Sequence, residues 1–281
     1  MEIEIKELSP KKAQIRFSDT TATAVNAIRR SLIADIPKMA IEDVEFHLGT
    51  VHDDATSTDY DLSTSLFDEA IALRLGLLPI PTGSKNFRFK DKCTCKGEGC
   101  AHCQIVYTMD KKGPGIVYAR DLIPLGDPEL AIAEPDVPIV TLGAKQAILA
   151  YATAVMGTGR QHAKWQVAHS VGYTAQPTVK VSKGEGCTEA CLKKVVNVCP
   201  THVFQYKDGA LDATNPDACI LCKECEHACT HGSVKVDTDP TAYIFRFETD
   251  GSMTAREALR LALENIVTQI DDLRDSVVSL G

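Results

Sequence analysis

Residues 254–280, TAREALRLALENIVTQIDDLRDSVVSL, predict a long amphipathic helix with one strongly apolar side. Thr254 and Glu257 have the spacing of a capping box, in which two side chains satisfy the amide groups left free at a helix start. Packing on a sheet of the same domain and packing on a partner chain both explain such a stripe. Its large apolar residues recur at alternating intervals of four and three: Leu259, Leu263, Ile266, Ile270, Leu273, Val277 and Leu280.

The two ends of the chain contain further regular patterns. Residues 3–17 alternate apolar and polar side chains on either side of a Ser-Pro turn, which predicts two paired strands. A helix capped by Asp19 or Thr20 follows and is stopped by Pro37. Residues 243–248 alternate again and predict a strand just before the last helix. Strands and long helices in this order favour the α+β class.

The middle of the chain predicts a separate unit. Residues 41–48 alternate as a strand does, and residues 68–77 form a short helical pattern. A second helix is predicted over residues 142–156, with Gly157 as its end. Its most apolar part, residues 147–156, is shorter than the roughly 20 residues needed to cross a bilayer, so we expect a buried helix.

Composition narrows the class of function. The chain has 281 residues, enough for two or three compact units, and a formal net charge of -8 with a pI near 5.5. This charge argues against a broad basic surface for nucleic acid. The N-terminus lacks the continuous apolar core of a signal peptide. Eleven cysteines fall into two clusters with metal-ligand spacing, a pattern that favours a reducing cytoplasm.

The first cysteine cluster, residues 93–103, predicts a structural zinc site. Four thiols lie within eleven residues, and two glycines allow the backbone to fold around one centre. A closed set of four thiolates leaves zinc no open position for a substrate. A disulfide pair or an empty site is the alternative, and His102 is interpreted as a bystander. The predicted ligands are Cys93, Cys95, Cys100 and Cys103.

The second cluster predicts an iron–sulfur centre. Its Cys-x-x-Cys-x-x-Cys-x-x-x-Cys run has the spacing of bacterial ferredoxins, in which the fourth thiolate reaches a different cluster. A Cys-Pro pair twenty residues upstream supplies the missing ligand, with zinc as the alternative occupant. The predicted ligands of one [4Fe-4S] cluster are Cys199, Cys219, Cys222 and Cys225.

Three cysteines remain outside that set. Cys187, Cys191 and Cys229 are three thiols where a second cubane requires four. A three-iron cluster, a cluster with a foreign ligand and a disulfide all stay open, and a second cluster is slightly favoured. Counting iron and sulfide under anaerobic conditions separates these alternatives.

Three blocks resemble the signatures of the alpha-like subunits of DNA-directed RNA polymerase. The first block is NAIRR at 26–30 with Ile-Pro at 36–37, Ala-Ile at 40–41 and Val44. The second block is Asp-Glu at 68–69 with RLGLLP at 74–79. The third block is Gly-Arg at 159–160 with HAKW at 162–165. The ferredoxin-like insertion is similar to that of the archaeal members of this family, and the first cysteine cluster resembles the zinc loop of the third-largest eukaryotic polymerase II subunit.

The resemblance covers nearly the whole chain and implies its domain organisation. Residues 1–40 and 235–281 would form a discontinuous dimerisation domain, and 41–180, with the zinc loop 93–103, an inserted mixed α/β domain. Residues 181–234 would form a ferredoxin-like [4Fe-4S] domain. The implied partners are a small alpha-like subunit, L, in a heterodimer, then subunits N and P and the large catalytic subunits.

The implied function is a non-catalytic assembly platform for transcription. An iron–sulfur electron-transfer protein is the alternative, because such clusters carry one electron. The sequence shows no flavin or nucleotide fingerprint to exchange electrons with that centre. It also lacks a nucleophile elbow, a phosphate loop and the aspartate triad of a polymerase, so an independent enzyme is disfavoured.

Overall fold

The computed structural model describes residues 1–82, 87–182, 187–229 and 231–280, and its fold is mixed α/β. The strands described are β1 (Glu2–Leu8), β2 (Lys12–Ser18), β3 (Pro37–Phe46), β4 (Thr50–Asp53), β5 (Thr58–Asp61), β6 (Gln104–Lys112), β7 (Gly115–Tyr118), β8 (Leu122–Pro124), β9 (Pro138–Leu142), β10 (Ala147–Thr158), β11 (Ala168–Val181), β12 (Phe204–Lys207), β13 (Ala210–Ala213) and β14 (Val234–Thr249). The helices are α1 (Ala22–Ala34), α2 (Asp68–Gly76), α3 (Glu189–Val198), α4 (Glu224–Ala228) and α5 (Ala255–Val278).

The chain divides into two compact units, each made of several segments. One unit consists of Met1–Lys6, Gln14–Asn26 and Gly172–Phe245, and the other of Glu7–Ala13, Ala27–Val171 and Arg246–Gly281. Each unit therefore combines residues from both ends of the chain. Long-range packing, and not sequence order, defines them.

The larger unit is built on a four-stranded sheet of order β3-β10-β6-β8. Strand β10 lies in the middle of this sheet and pairs antiparallel with both β3 and β6. Tyr107 of β6 is fully buried and donates its hydroxyl to the Leu130 carbonyl at 2.8 Å, so its polar end is satisfied. Ile71 and Leu75 of α2 are fully buried in the same apolar core.

The smaller unit contains the second cysteine cluster. Phe17 and Phe245 pack edge to face with ring centroids 6.0 Å apart, and both are buried. Helices α3 and α4 and the β12-β13 hairpin enclose a separate apolar core around Val195, Phe204 and Leu211. Buried cysteines are part of this core, which places the thiols where a metal or cluster would be shielded from water.

The helix predicted over residues 142–156 is wrong. Strand β9 ends at Leu142, and β10 occupies most of the stretch, so Gly157 lies within a strand. Burial does alternate along β10, because Ala150, Ala152 and Ala154 are buried while Tyr151 is 38% exposed, but the less buried positions also carry mostly apolar residues, so the sequence lacks the polar alternation of a strand. The register shift in the pairing with β3 places the extra residue in β3, because the consecutive residues Thr153 and Ala154 pair with Asp43 and Ile41.

The other predicted elements are confirmed with small shifts. Helix α1 ends at Ala34, before Pro37, but its cap is Thr21, whose hydroxyl accepts from the Ala24 amide at 3.3 Å. Helix α5 begins as expected, because the Thr254 hydroxyl accepts from the Glu257 amide at 3.2 Å. Among the described residues, no helix has both the length and the apolar content to cross a bilayer.

A buried ion pair in the larger unit joins three segments of chain. The Lys38 ammonium donates to the Asp250 carboxylate at 2.5 Å and to the Lys164 carbonyl at 2.9 Å. The Lys38 side chain is 3% exposed and that of Asp250 is 21% exposed. Water therefore could not solvate either charge well if its partner were removed. Buried charges are tolerated only when they are paired in this way.

Replacing Lys38 by Met is expected to destabilise the protein by roughly 3–5 kcal/mol, because it leaves the Asp250 carboxylate without its cation. The matched control is Lys12→Met, which breaks a 3.9 Å ion pair with Glu248 whose side chains are 45% exposed. That change should cost at most about 1 kcal/mol. Denaturant midpoints measure both, and equal midpoints would contradict a structural role for the buried pair.

Candidate interaction surface and metal centres

The first turns of α5 pack on the end of α1 through small residues. Ala255, Ala258 and Ala262 are fully buried. The Ser31 hydroxyl of α1 donates to the Ala262 carbonyl at 2.9 Å, which requires a close approach of the two helices. Further along α5, the Asn265 amide donates to the Asp35 carbonyl at 3.0 Å. The alanine face, and not the leucine stripe, therefore packs on the helix's own unit.

The apolar stripe of α5 stays open to solvent. Leu259 and Ile266 are half-buried, and no position of the predicted stripe is buried by the described part of the chain. From Val267 onward every large apolar side chain of the helix is at least 58% exposed. The exposed fractions are 39% for Leu263, 58% for Val267, 60% for Ile270, 65% for Leu273, 60% for Val277 and 88% for Leu280. A row of large apolar residues at this exposure marks an interaction surface.

A groove runs between the exposed part of α5 and the end of α1. Its volume is about 580 Å³, and its walls include Ile270 and Leu273 on one side and Arg30 on the other. At its edge Arg160 donates to the Asp35 carboxylate at 2.6 Å, and this ion pair raises the pKa of the Arg160 guanidinium. The groove thus offers an apolar floor with a charged rim, the usual arrangement of a protein–protein interface.

The third sequence block has a packing role in the structure. Gly159 has no room for a side chain, because an added Cβ would lie 2.2 Å from the Ile33 carbonyl oxygen. The Trp165 indole donates to the Val155 carbonyl at 3.1 Å and is buried. Lys164 donates to the Ile41 carbonyl at 3.0 Å and pairs with Glu42. These residues hold β3, β10 and the connection after α1 together.

The first cysteine cluster converges on one point. The Sγ atoms of Cys93, Cys95, Cys100 and Cys103 all lie within 4.8 Å of one another. The Sγ–Sγ separations are 3.6 Å for Cys93–Cys100, 3.5 Å for Cys95–Cys103 and 3.8 Å for Cys100–Cys103. A tetrahedral zinc ion with Zn–S bonds of about 2.3 Å requires thiolates roughly 3.8 Å apart. The donors therefore fit a single four-coordinate ion.

The backbone of this loop favours the thiolate form of one ligand. Amide groups of Gly99 and Gly97 donate to the Cys95 sulfur and lower the pKa of its thiol to about 6. Gly99 adopts a φ of +100°, a left-handed conformation that suits glycine. Burial raises the pKa of the Cys103 thiol to about 12. His102 is exposed and lies outside the compact group.

The predicted cubane ligands are spread more widely. Cys199, Cys219, Cys222 and Cys225 form no group of single-ion size in the part of the chain that the structure describes. Burial raises the pKa of the Cys225 thiol, and the nearby thiols of Cys219 and Cys222 raise it further. Cys199, Cys219 and Cys225 share one apolar core, whereas Cys222 is exposed.

The loop between these cysteines has an unusual backbone. Leu221 and Lys223 both adopt a φ of 60°, which is a strained, left-handed conformation for side chains of this kind. The two left-handed residues lie on either side of Cys222, within the 219–225 segment. Strain of this kind concentrates at functional sites. A cubane places its ligands on different irons, so its thiolates stand farther apart than those around one ion.

The three remaining cysteines meet a histidine that sequence reasoning missed. The ligand atoms of Cys187, Cys191 and His231 all lie within 4.8 Å of one another. The Cys229 Sγ lies 3.7 Å from the Cys187 Sγ and interacts with the Cys191 thiol. No spacing rule pointed to His231, because a ferredoxin pattern contains only cysteines. All eleven cysteines are free thiols in the structure.

A row of exposed large apolar residues along one helix is typical of a subunit that functions by association with another chain. The RNA polymerase Rpb3/Rpb11 dimerisation domain is the family model that matches, over residues 14–270, and the chain belongs to this family.

Similar proteins include RNA polymerase subunits of three archaea. DNA-directed RNA polymerase subunit Rpo3 of Picrophilus torridus is 39% identical over 275 residues, 98% of this chain and 99% of that protein. The Rpo3 subunit of Thermoplasma volcanium is 39% identical over 277 residues, 99% of each chain. That of Methanosarcina acetivorans is 34% identical over 270 residues, 95% of this chain and 94% of the other.

These comparisons confirm the main sequence prediction. The chain is an alpha-like RNA polymerase subunit and not an enzyme by itself. The cysteine clusters are able to hold metal ions, as their geometry shows. The identity of any metal or cluster and the particular partner subunits are matters of proposal.

Proposed function

We propose that this chain is the assembly platform of a DNA-directed RNA polymerase and forms a heterodimer with a smaller alpha-like subunit, L. The exposed α5 stripe is the observation that carries the proposal, because five of its residues from Leu263 to Leu280 are exposed. Each large side chain gains roughly 1.5 to 3 kcal/mol when a partner buries it fully. Membership of the polymerase family favours this role over electron transfer.

The same groove defines where the partner would lie. A helix of the small subunit would pack along α5 and reach the end of α1 at Arg30. Heptad spacing in the stripe suits a helix lying at a shallow angle, as in coiled coils. Subunits N and P would join the heterodimer before the large catalytic subunits dock, and the Arg29-Arg30 region would then contact a large subunit.

The domain organisation is part of the proposal. Residues 1–40 and 235–281 would serve dimerisation, residues 41–180 would be the insert, and residues 181–234 would form the ferredoxin-like domain.

Location in the cytoplasm suits eleven free thiols, which a reducing compartment keeps reduced.

Co-expression with the small alpha-like subunit tests the platform. We expect one species with the summed mass of one copy of each chain, measured by light scattering after size-exclusion chromatography. A chain that elutes alone and soluble beside that subunit would refute the proposal. Chromatography of the chain without a partner provides the control for self-association.

The metal sites would support the platform without catalysing a reaction. Cys93, Cys95, Cys100 and Cys103 would hold zinc in a closed site, which gives the loop a fixed shape. A [4Fe-4S] cluster on Cys199, Cys219, Cys222 and Cys225 would supply one-electron redox chemistry or a structural centre. The apolar core shared by Cys199, Cys219 and Cys225 and the left-handed backbone on either side of Cys222 support that assignment.

Anaerobic purification is expected to give about four irons and four sulfides per chain, the content of one cubane. Replacing Cys219 and Cys225 together by Ser should remove all of this iron, because it deletes two of four ligands. His202→Ala is the matched control, since this nearby side chain is not a predicted ligand. Iron that persists in the double variant would contradict the ligand assignment, and eight irons in the wild type would indicate a second cluster.

A further inference from the structure

We propose that Cys187, Cys191, Cys229 and His231 form a site for one tetrahedral divalent ion, a Cys3His zinc site. This site is additional to the zinc loop and to the cubane of the proposed function. It explains why this half of the domain has three cysteines where a second cubane needs four. The imidazole supplies the fourth ligand.

The four donors come from two places in the fold. Cys191 lies in the first turn of α3, where the Thr188 hydroxyl caps the helix and accepts from the Cys191 amide at 3.4 Å. Cys229 directly follows the end of α4, and its amide donates to the Cys225 carbonyl at 3.2 Å. His231 lies two residues further on. The site therefore joins the start of one helix to the end of another.

The separations favour one ion over a cluster. Sulfur and nitrogen donors around zinc, with bonds of about 2.3 and 2.1 Å, stand roughly 3.5 to 3.8 Å apart in a tetrahedron. The Cys187 and Cys229 sulfurs are 3.7 Å apart, and the three donors that include His231 lie within 4.8 Å of one another. Cys229 is placed by its separation from Cys187 and is not in that compact group of three, whereas the predicted cubane ligands include no three donors at this spacing among the described residues.

Hydrogen-bond donors surround one of the sulfurs. The Ser233 hydroxyl and amide and the His231 amide all point at the Cys229 sulfur. Amide and hydroxyl donors around a coordinating thiolate are the usual outer shell of a metal site. A disulfide sulfur is a weak acceptor and would form weaker hydrogen bonds with these donors than a thiolate does.

The test is the zinc content of the full chain, purified anaerobically with its partner. His231→Ala is expected to lower zinc by one ion per chain while iron stays unchanged, because the variant removes a zinc ligand and no cubane ligand. His227→Ala is the matched control, since this exposed histidine on α4 lies outside the donor group. His231→Cys should keep the ion, which separates loss of a ligand from misfolding.

A second readout identifies the donors. Cobalt substituted for zinc is expected to give thiolate charge-transfer absorption that changes between the wild type and His231→Cys. Unchanged zinc in His231→Ala would overturn the proposal. A Cys187–Cys229 disulfide found by mass spectrometry, or iron well above four per chain with no second zinc, would overturn it as well.

Discussion

Replacing Ile270 and Leu273 together by Asp is expected to weaken the heterodimer by roughly 1000-fold or more. The variant loses two buried apolar contacts of roughly 1.5 to 3 kcal/mol each, and it places two unpaired carboxylates in an apolar interface. Each 1.4 kcal/mol is a tenfold change in affinity. The free chain should fold normally, because these side chains are 60% and 65% exposed without a partner.

Thr268→Asp is the control for this prediction. Thr268 is exposed on the same helix but lies about 160° around it from Ile270, away from the stripe. Titration of each purified variant with the small alpha-like subunit, followed by sedimentation, measures the dissociation constants. If both variants bound with the wild-type affinity, the α5 stripe would not be the dimerisation surface.

Replacing Cys95 and Cys103 together by Ser is expected to remove about one zinc ion per chain. Two of four thiolates disappear from a site whose sulfurs stand at zinc spacing, and serine hydroxyls do not replace them at neutral pH. The loop should then become sensitive to proteases, because metal binding contributes directly to the folding of small sites. Atomic emission measures the zinc, and mass spectrometry locates the cuts.

His102→Ala provides the comparison, because it changes the same loop but leaves the four thiolates intact. We expect it to retain the ion. Wild-type zinc in the double cysteine variant would exclude this loop as a metal site. Loss of zinc in both variants would instead make His102 a ligand.

Local sequence patterns predicted the terminal elements well. Helix α5 and its cap at Thr254, helix α2, strand β3 and the end of α1 before Pro37 follow from periodicity and capping, which act within a few residues. The prediction for the stretch that forms β10 was wrong, because its less buried positions also carry mostly apolar residues and the sequence therefore shows no polar alternation, although burial alternates along the strand. Only its pairing with β3 and β6 distinguishes it from a helix.

The side of α5 that packs internally was also beyond sequence reasoning. The sequence analysis identified the apolar face of α5 from its large residues, but the fully buried residues of the helix are Ala255, Ala258 and Ala262. Small side chains allow α1 close enough for the Ser31 hydroxyl to reach the Ala262 carbonyl. Whether a helix face is covered depends on neighbours distant in sequence, which hydrophobic spacing does not record.

The amino-acid sequence by itself predicted the compact group of four cysteines at 93–103 and the amphipathic helix α5, because ligand spacing and helical periodicity depend on residues close together in the chain. Tertiary structure alone decided which apolar face remains open, and it alone brought His231 to Cys187 and Cys191. The physical reason is the same in both cases. Solvent exposure and ligand geometry are set by segments that fold together from distant parts of the chain.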